Sequence, residues 1–159
     1  MAVNPIQEKR IKQYFLEATK EILIGEGISA LSVRNVAKRA GYSYATLYNY
    51  FKSLSELISF SILDFQKECA LHIEEKTKRV ASGDRKLKAI VRAYADYFIQ
   101  YPALFHLFYI EKLSSNKVNR SAALFLNELC QSEFDDSITK GTFTKKEVDL
   151  LQEQLRITI

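Results

Sequence analysis

The chain is poor in helix breakers and in the groups that carry catalysis. Its 159 residues include five glycines, two prolines and two cysteines. So few Gly and Pro leave little to interrupt helices. No apolar run approaches the ~20 residues that cross a bilayer, so no membrane partner is expected. The start, Met1-Ala-Val-Asn-Pro-Ile6, lacks the apolar core of a secretory signal. Cys69 and Cys130 stand far apart without metal-ligand spacing, and read as buried thiols in a reducing, cytoplasmic setting. A nucleophile elbow, a phosphate loop and a metal-ligand cluster are all missing. Neither cofactor nor metal is expected, and an enzyme would have to rely on His72 or His106 with a nearby carboxylate.

What is present is helix pattern. Composition is ordinary for a globular chain, 47% hydrophobic and 26% charged, and strand alternation is absent. A first helix carries Ile11, Tyr14, Phe15, Ala18 and Ile22 on one face and ends near Gly25 to Gly27. A long helix opens at Ser53 with a capping box to Glu56, then aligns Ile58, Ile62, Phe65, Cys69 and His72. Ser82-Gly83-Asp84 breaks the pattern. The next helix turns Leu87, Ile90, Val91, Tyr94 and Phe98 inward until Pro102. Residues 103–110 are apolar on every side, which predicts a helix buried all round. A further helix from about Lys117 to Ser137 bears Val118, Ala122, Phe125 and Leu129 as a stripe. After Gly141, a Thr144–Glu147 capping box starts a last helix with Val148, Leu151 and Leu155 as its seam, running to Ile159 with no stop signal. The fold class is all-α.

The most informative stretch is Leu31 to Phe51. Ser32 suits an N-cap, Leu31 and Val36 a hydrophobic staple, and Val33, Val36, Ala37 and Ala40 form one stripe. Gly41 permits the left-handed turn that ends a helix. Ser43 then caps a second helix held to the body by Leu47 and Phe51, leaving Tyr44, Thr46, Tyr48, Asn49 and Tyr50 mostly outward. Two helices so joined make a helix-turn-helix, whose second helix enters a DNA major groove. An ordinary helical pair with surface tyrosines is the plainer alternative. Charge favours the first. Residues 1–55 hold eight Lys or Arg against four Glu, while residues 56–159 balance at fifteen each, so all the net +4 lies around the motif.

With those residues in place, the segment 9–57 resembles the DNA-binding domain of the TetR family of bacterial transcriptional regulators. The resemblance rests on Gly25-Glu-Gly27, Ser32-Val-Arg-Asn-Val-Ala37, Ala40-Gly-Tyr-Ser43, Thr46-Leu-Tyr48, Tyr50-Phe51 and Glu56-Leu57. It covers about a third of the chain. Two positions depart from the family pattern. Leu54 stands where many members carry a phosphate-binding Lys, and Tyr44-Ala45 replaces a commoner basic-or-small residue plus Gly.

The resemblance implies a helix-turn-helix domain over residues 1–52 and a helical effector-binding and dimerisation domain over 53–159, a region short of the further helix that relatives usually carry. It implies three partners: double-stranded operator DNA, a small-molecule effector and a second copy of the chain. Tyr48, Tyr50 and Lys52 are the expected phosphate contacts. Tyr44, Ala45 and Asn49 are the expected base-edge readers, with Thr46 in the first turn and Ser32 and Arg34 at the backbone or a flanking base. An interior pocket would draw on Phe65, Cys69, His72, Tyr94, Phe98, Phe105, His106, Tyr109 and Phe125. The same aromatic residues serve equally as plain core. A helical ligand-binding or interaction protein that has lost its operator is the alternative function.

Overall fold

The structure, a computed structural model, describes residues 4–110 and 116–157. Its helices are α1 (Pro5–Glu26), α2 (Val33–Arg39), α3 (Tyr44–Tyr48), α4 (Leu54–Thr77), α5 (Asp84–Gln100), α6 (Pro102–Phe105), α7 (Asn116–Thr139) and α8 (Lys145–Ile157). A single 3₁₀ turn, Ile28–Ala30, precedes α2, and a π-helical turn, His106–Ile110, extends α6. No strand occurs among the described residues.

Local chemistry places the ends. Asn4 accepts from the Ile6 N–H and Pro5 occupies the first turn of α1, where a missing N–H costs nothing. Gly27, at φ +81°, closes that helix. Ser53 caps α4 by accepting from Glu56 N at 3.1 Å, and the Glu56 carboxylate returns to the Lys52 N–H. At α8 the capping box closes both ways, Glu147 N to Thr144 Oγ1 at 3.3 Å and Thr144 N to Glu147 Oε2 at 2.7 Å.

Helices α1, α2 and α3 pack around Phe15, Ile22, Val36, Leu47 and Phe51. Helix α1 also rests on α4 and α6, so one core runs on into Phe65, Cys69, Tyr97, Leu107 and Phe134. Helix α5 is packed by α4 on one side and α7 on the other, and α8 lies on α7. The turn between α4 and α5 is pinned to α7 by one carboxylate. Glu133, only 2% exposed, accepts from Gly83 N and Ser82 Oγ at 2.9 Å each and pairs with Lys86 at 2.9 Å. Burial alone would raise its pKa. The Lys86, Gly83 and Ser82 bonds outweigh that and hold the carboxyl below its usual range.

Three sequence expectations differ from what is found. The segment 103–110 is not buried all round: Leu104, Leu107 and Phe108 face the core, whereas Phe105, His106 and Ile110 are exposed. It is also broken into α6 and a π-helical turn, which rotates successive side chains off one stripe. Tyr14 sits at the edge of the α1 face, 41% exposed, with its ring stacked 6.4 Å from Tyr42. The side chains of Val118, Ala122 and Leu155, and the terminal Ile159, lie outside the described residues.

Candidate nucleic-acid interface and interior ligand site

The recognition element is a short helix on a stiff mount. Ser32 caps α2, accepting from Asn35 N at 3.2 Å, and the Asn35 amide in turn donates to Ala30 O at 2.8 Å. Helix α2 ends in a left-handed Gly41, φ +78°, with Tyr42 N bonded back to Ala37 O at 2.9 Å. Ser43 then caps α3 through Thr46 N at 3.0 Å. Behind α3, Leu47 is fully buried and Phe51 nearly so, the Phe51 N–H closing on Leu47 O at 2.9 Å.

This mount turns Tyr44, Ala45, Tyr48 and Asn49 to solvent, with Tyr44 60% and Tyr48 50% exposed. Arg34 at the start of α2 and Lys52 after α3 are also exposed, and neither has an ion pair among the described residues. Thr46 is half-buried, and its hydroxyl lies 2.9 Å from Ser43 Oγ, so it serves the cap first. Tyr50 is less outward than expected. It is half-buried with its ring 6.1 Å from Phe15, because α3 ends at Tyr48 and the following turn swings Tyr50 toward α1.

Sequence reasoning passed over two basic residues here. Arg39 is tied to Glu26 and, at 3.5 Å, to Glu21, which fastens α2 to the end of α1. Lys38 is exposed beside it without an ion pair among the described residues. Neither has a motif signal, since only the fold separates the pinned cation from the open one. Leu54 packs partly against the core, so it offers no phosphate contact.

The interior site resolves into a ring network. Phe98 touches Tyr94, Tyr97, Phe105, Phe108 and Tyr109 with ring centroids 5.0 to 5.8 Å apart. Phe125 joins through Tyr94 at 6.2 Å, and the Tyr94 and Tyr109 hydroxyls are hydrogen-bonded to each other. Phe65 and Cys69 are fully buried on α4. His72 is half-buried, 5.6 Å from the Tyr97 ring. His106 differs from them in burial. It is exposed on the π-helical turn, two positions past the buried Leu104. Burial pushes the Cys69 and Cys130 thiols up to about 12, and it raises the Tyr97 and Tyr109 hydroxyls as well. All four therefore stay protonated at neutral pH.

Two surface concavities flank this region. A groove of about 450 Å³ is lined by Tyr94, Ala95, Phe98, Ile99, Pro102 and Phe105, three of them expected ligand contacts. A wider one of about 740 Å³ runs between α5, α7 and α8 over Leu87, Val91, Phe134, Phe143 and Leu151. None of the expected ligand residues lines the wider groove. Size alone would favour it, whereas the narrower groove adjoins the ring network through Tyr94, Phe98 and Phe105. Among the described residues there is no cluster of three metal-ligating side chains, and no helix long and apolar enough to cross a membrane.

Comparison with known proteins agrees with the motif. Residues 15–59 match the family model of bacterial regulatory proteins of the tetR family. The HTH-type transcriptional regulator PksA of Bacillus subtilis is 37% identical over 77 residues, 48% of this chain but only 35% of that protein. An HTH-type transcriptional regulator of Staphylococcus aureus strain USA300 is 24% identical over 156 residues, 95% of this chain and 80% of its own length. Among solved structures, FadR of Bacillus subtilis, in complex with stearoyl-CoA, superposes with TM-score 0.71 at 18% identity, covering 90% of this chain and 80% of that one. A transcription regulator from Shewanella sp. PV-4 gives TM-score 0.69 at 18% identity, covering 91% and 78%. At such identity the two structures show the common fold alone.

Proposed function

We propose that this chain, whose residues 15–59 match the family model of bacterial regulatory proteins of the tetR family, is a ligand-responsive repressor of that family working as a homodimer. It is a DNA-binding transcription regulator of the helix-turn-helix type. Two copies would set their α3 helices into successive major grooves about 34–36 Å apart, so the operator is an imperfect palindrome. The cytoplasm is where such an operator is met.

One observation carries the reading: Tyr44, Ala45, Tyr48 and Asn49 are open on a helix whose opposite side is locked down by Leu47 and Phe51. Tyr48 and Lys52 suit phosphate oxygens. Asn49 can pair bidentately with adenine, and Ala45 can meet a thymine methyl. Arg34 and Lys38 extend the positive surface.

The division at residues 52 and 53 gives the two halves their tasks, reading DNA and sensing the effector. Helix α4 joins them. Its Glu68 is ion-paired to Lys20 of α1, whose ammonium lies 5.9 Å from the Phe65 and Tyr101 rings. An effector with higher affinity for a tilted α4 would alter the spacing of the paired α3 helices and forfeit one half-site. The structure of FadR in complex with stearoyl-CoA supports the reading that the helical half of such a chain takes an effector. For self-association, Leu150 stands exposed on α8 beside the wide groove along α5, α7 and α8.

A mobility-shift assay on duplex from upstream of the protein's own coding region, at two salt concentrations, tests the reading. Retardation that weakens with salt and fails for Tyr48→Ala supports it. Absence of any salt-dependent retardation by the wild-type chain would support the alternative of a helical protein that has lost its operator.

A further inference from the structure

We propose that the first turns of α1 add a second contact to DNA, in which Arg10 takes a backbone phosphate in the cleft that α1 forms with Tyr42. This rests on the reading that the chain binds duplex through α3. It extends that interface to a side chain outside the helix-turn-helix.

Packing sets the cleft. Tyr42 ends the turn between α2 and α3 and directly precedes Ser43, the cap of α3. Its half-buried ring lies against α1, 5.4 Å from Phe15 and stacked 6.4 Å from Tyr14. One turn back from Tyr14 on the same face of α1 stand Arg10 and Ile11, and a turn further back stands Gln7. With the two rings these residues enclose a cleft of about 360 Å³. Tyr42 is therefore shared: its backbone leads into the recognition helix, and its side chain walls the cleft.

The lining has the chemistry of a phosphate site. Arg10 is the one charged residue among the described residues that line it, and no carboxylate is present there. Gln7 and the two tyrosines add side-chain donors. Arg10 is exposed and has no ion pair among the described residues. A guanidinium without an acid partner can present two parallel N–H groups to two phosphate oxygens. The preceding residue gives the contrast. Lys9, equally exposed, lines a different hollow between α1 and α4, which also holds the carboxylates Glu8 and Asp64. Two adjacent cations thus fall on opposite sides of α1, and only one lies beside the start of α3. Phosphates edge the groove that α3 enters, so the duplex backbone is the anion that meets Arg10.

The test is fluorescence anisotropy of two labelled duplexes, one from upstream of the coding region and one unrelated of equal length, titrated over a series of salt concentrations. Wild type is compared with Arg10→Gln and Lys9→Gln, each of which removes one charge. Arg10→Gln is expected to reduce the slope of log affinity against log salt by roughly 0.9 on both duplexes, and to weaken binding about three- to tenfold. Its melting temperature should match wild type, since the side chain is exposed. Lys9→Gln should keep the wild-type slope. An unchanged slope for Arg10→Gln overturns the proposal. So does an equal loss for both variants, which would reflect overall charge rather than a contact. A loss confined to the upstream duplex would make Arg10 a base reader and overturn the phosphate assignment. A wild-type chain that binds neither duplex refutes the regulator together with this contact. Wild-type binding that Arg10→Gln leaves untouched refutes the contact alone.

Discussion

At the scale of single residues, the capping serines were readable because each bonds to a backbone N–H three positions on. Ser32, Ser43 and Ser53 all cap as their spacing implies. Tyr44 and Tyr48 were readable as outward from their offset to Leu47. Tyr50 and His106 were not, because each follows a point where the α-helical period breaks. Glu133 escaped notice altogether, since its partners lie some fifty positions away and no local pattern marks them. Two expectations belong here. Ser43→Ala should cost about 1 kcal/mol of stability, the usual worth of a lost N-cap, measurable by denaturant unfolding. Cys69 and Cys130, buried and with thiols raised to about 12, should resist Ellman's reagent at pH 8 in the native chain and react fully once unfolded. Fast native reaction would show that this interior opens readily.

Among elements, the helix-turn-helix was legible nearly in full, as two caps, one glycine and two apolar anchors determine it. Gly41→Ala is a sharp check. No atom lies within 4 Å of an added Cβ there, so any penalty comes from the left-handed φ of +78°. A loss of about 1–2 kcal/mol, seen as a melting temperature lowered by several degrees, is expected. An unchanged melting temperature would mean that the turn is not held left-handed in solution. The segment 102–110 was illegible for a different reason. When every position is apolar, periodicity carries no phase, and only the packing of α1, α5 and α7 decides that Leu104 and Leu107 go in while Phe105 and Ile110 stay out. Whether the aromatic stripe of α5 forms plain core or a ligand site was likewise hidden. The stripe looks the same in both cases.

For the whole molecule, the Glu133 clasp ties stability to pH. Its folded carboxyl is held below the ordinary value, so its contribution is present above the unfolded pKa and is lost as pH falls through the folded pKa. Glu133→Gln should therefore lower the melting temperature at pH 7, by an amount matching about 2 kcal/mol, and should matter far less near pH 3. A penalty independent of pH would show that shape, rather than charge, fastens α7 to the start of α5. The charge layout is the second global property. All the net positive charge resides in the first 55 residues, so DNA affinity should fall steeply with added salt, each neutralised phosphate contributing roughly 0.9 to the logarithmic slope.

The most direct measurement is fluorescence anisotropy of a labelled upstream duplex titrated with wild type, Tyr48→Ala and Arg34→Ala, at low and near-physiological salt. The account predicts saturable wild-type binding that weakens with salt. Each variant should be at least tenfold weaker at unchanged melting temperature. Binding that is indifferent to both substitutions, or absent at low salt, would contradict the assignment of α3 as the surface that meets DNA.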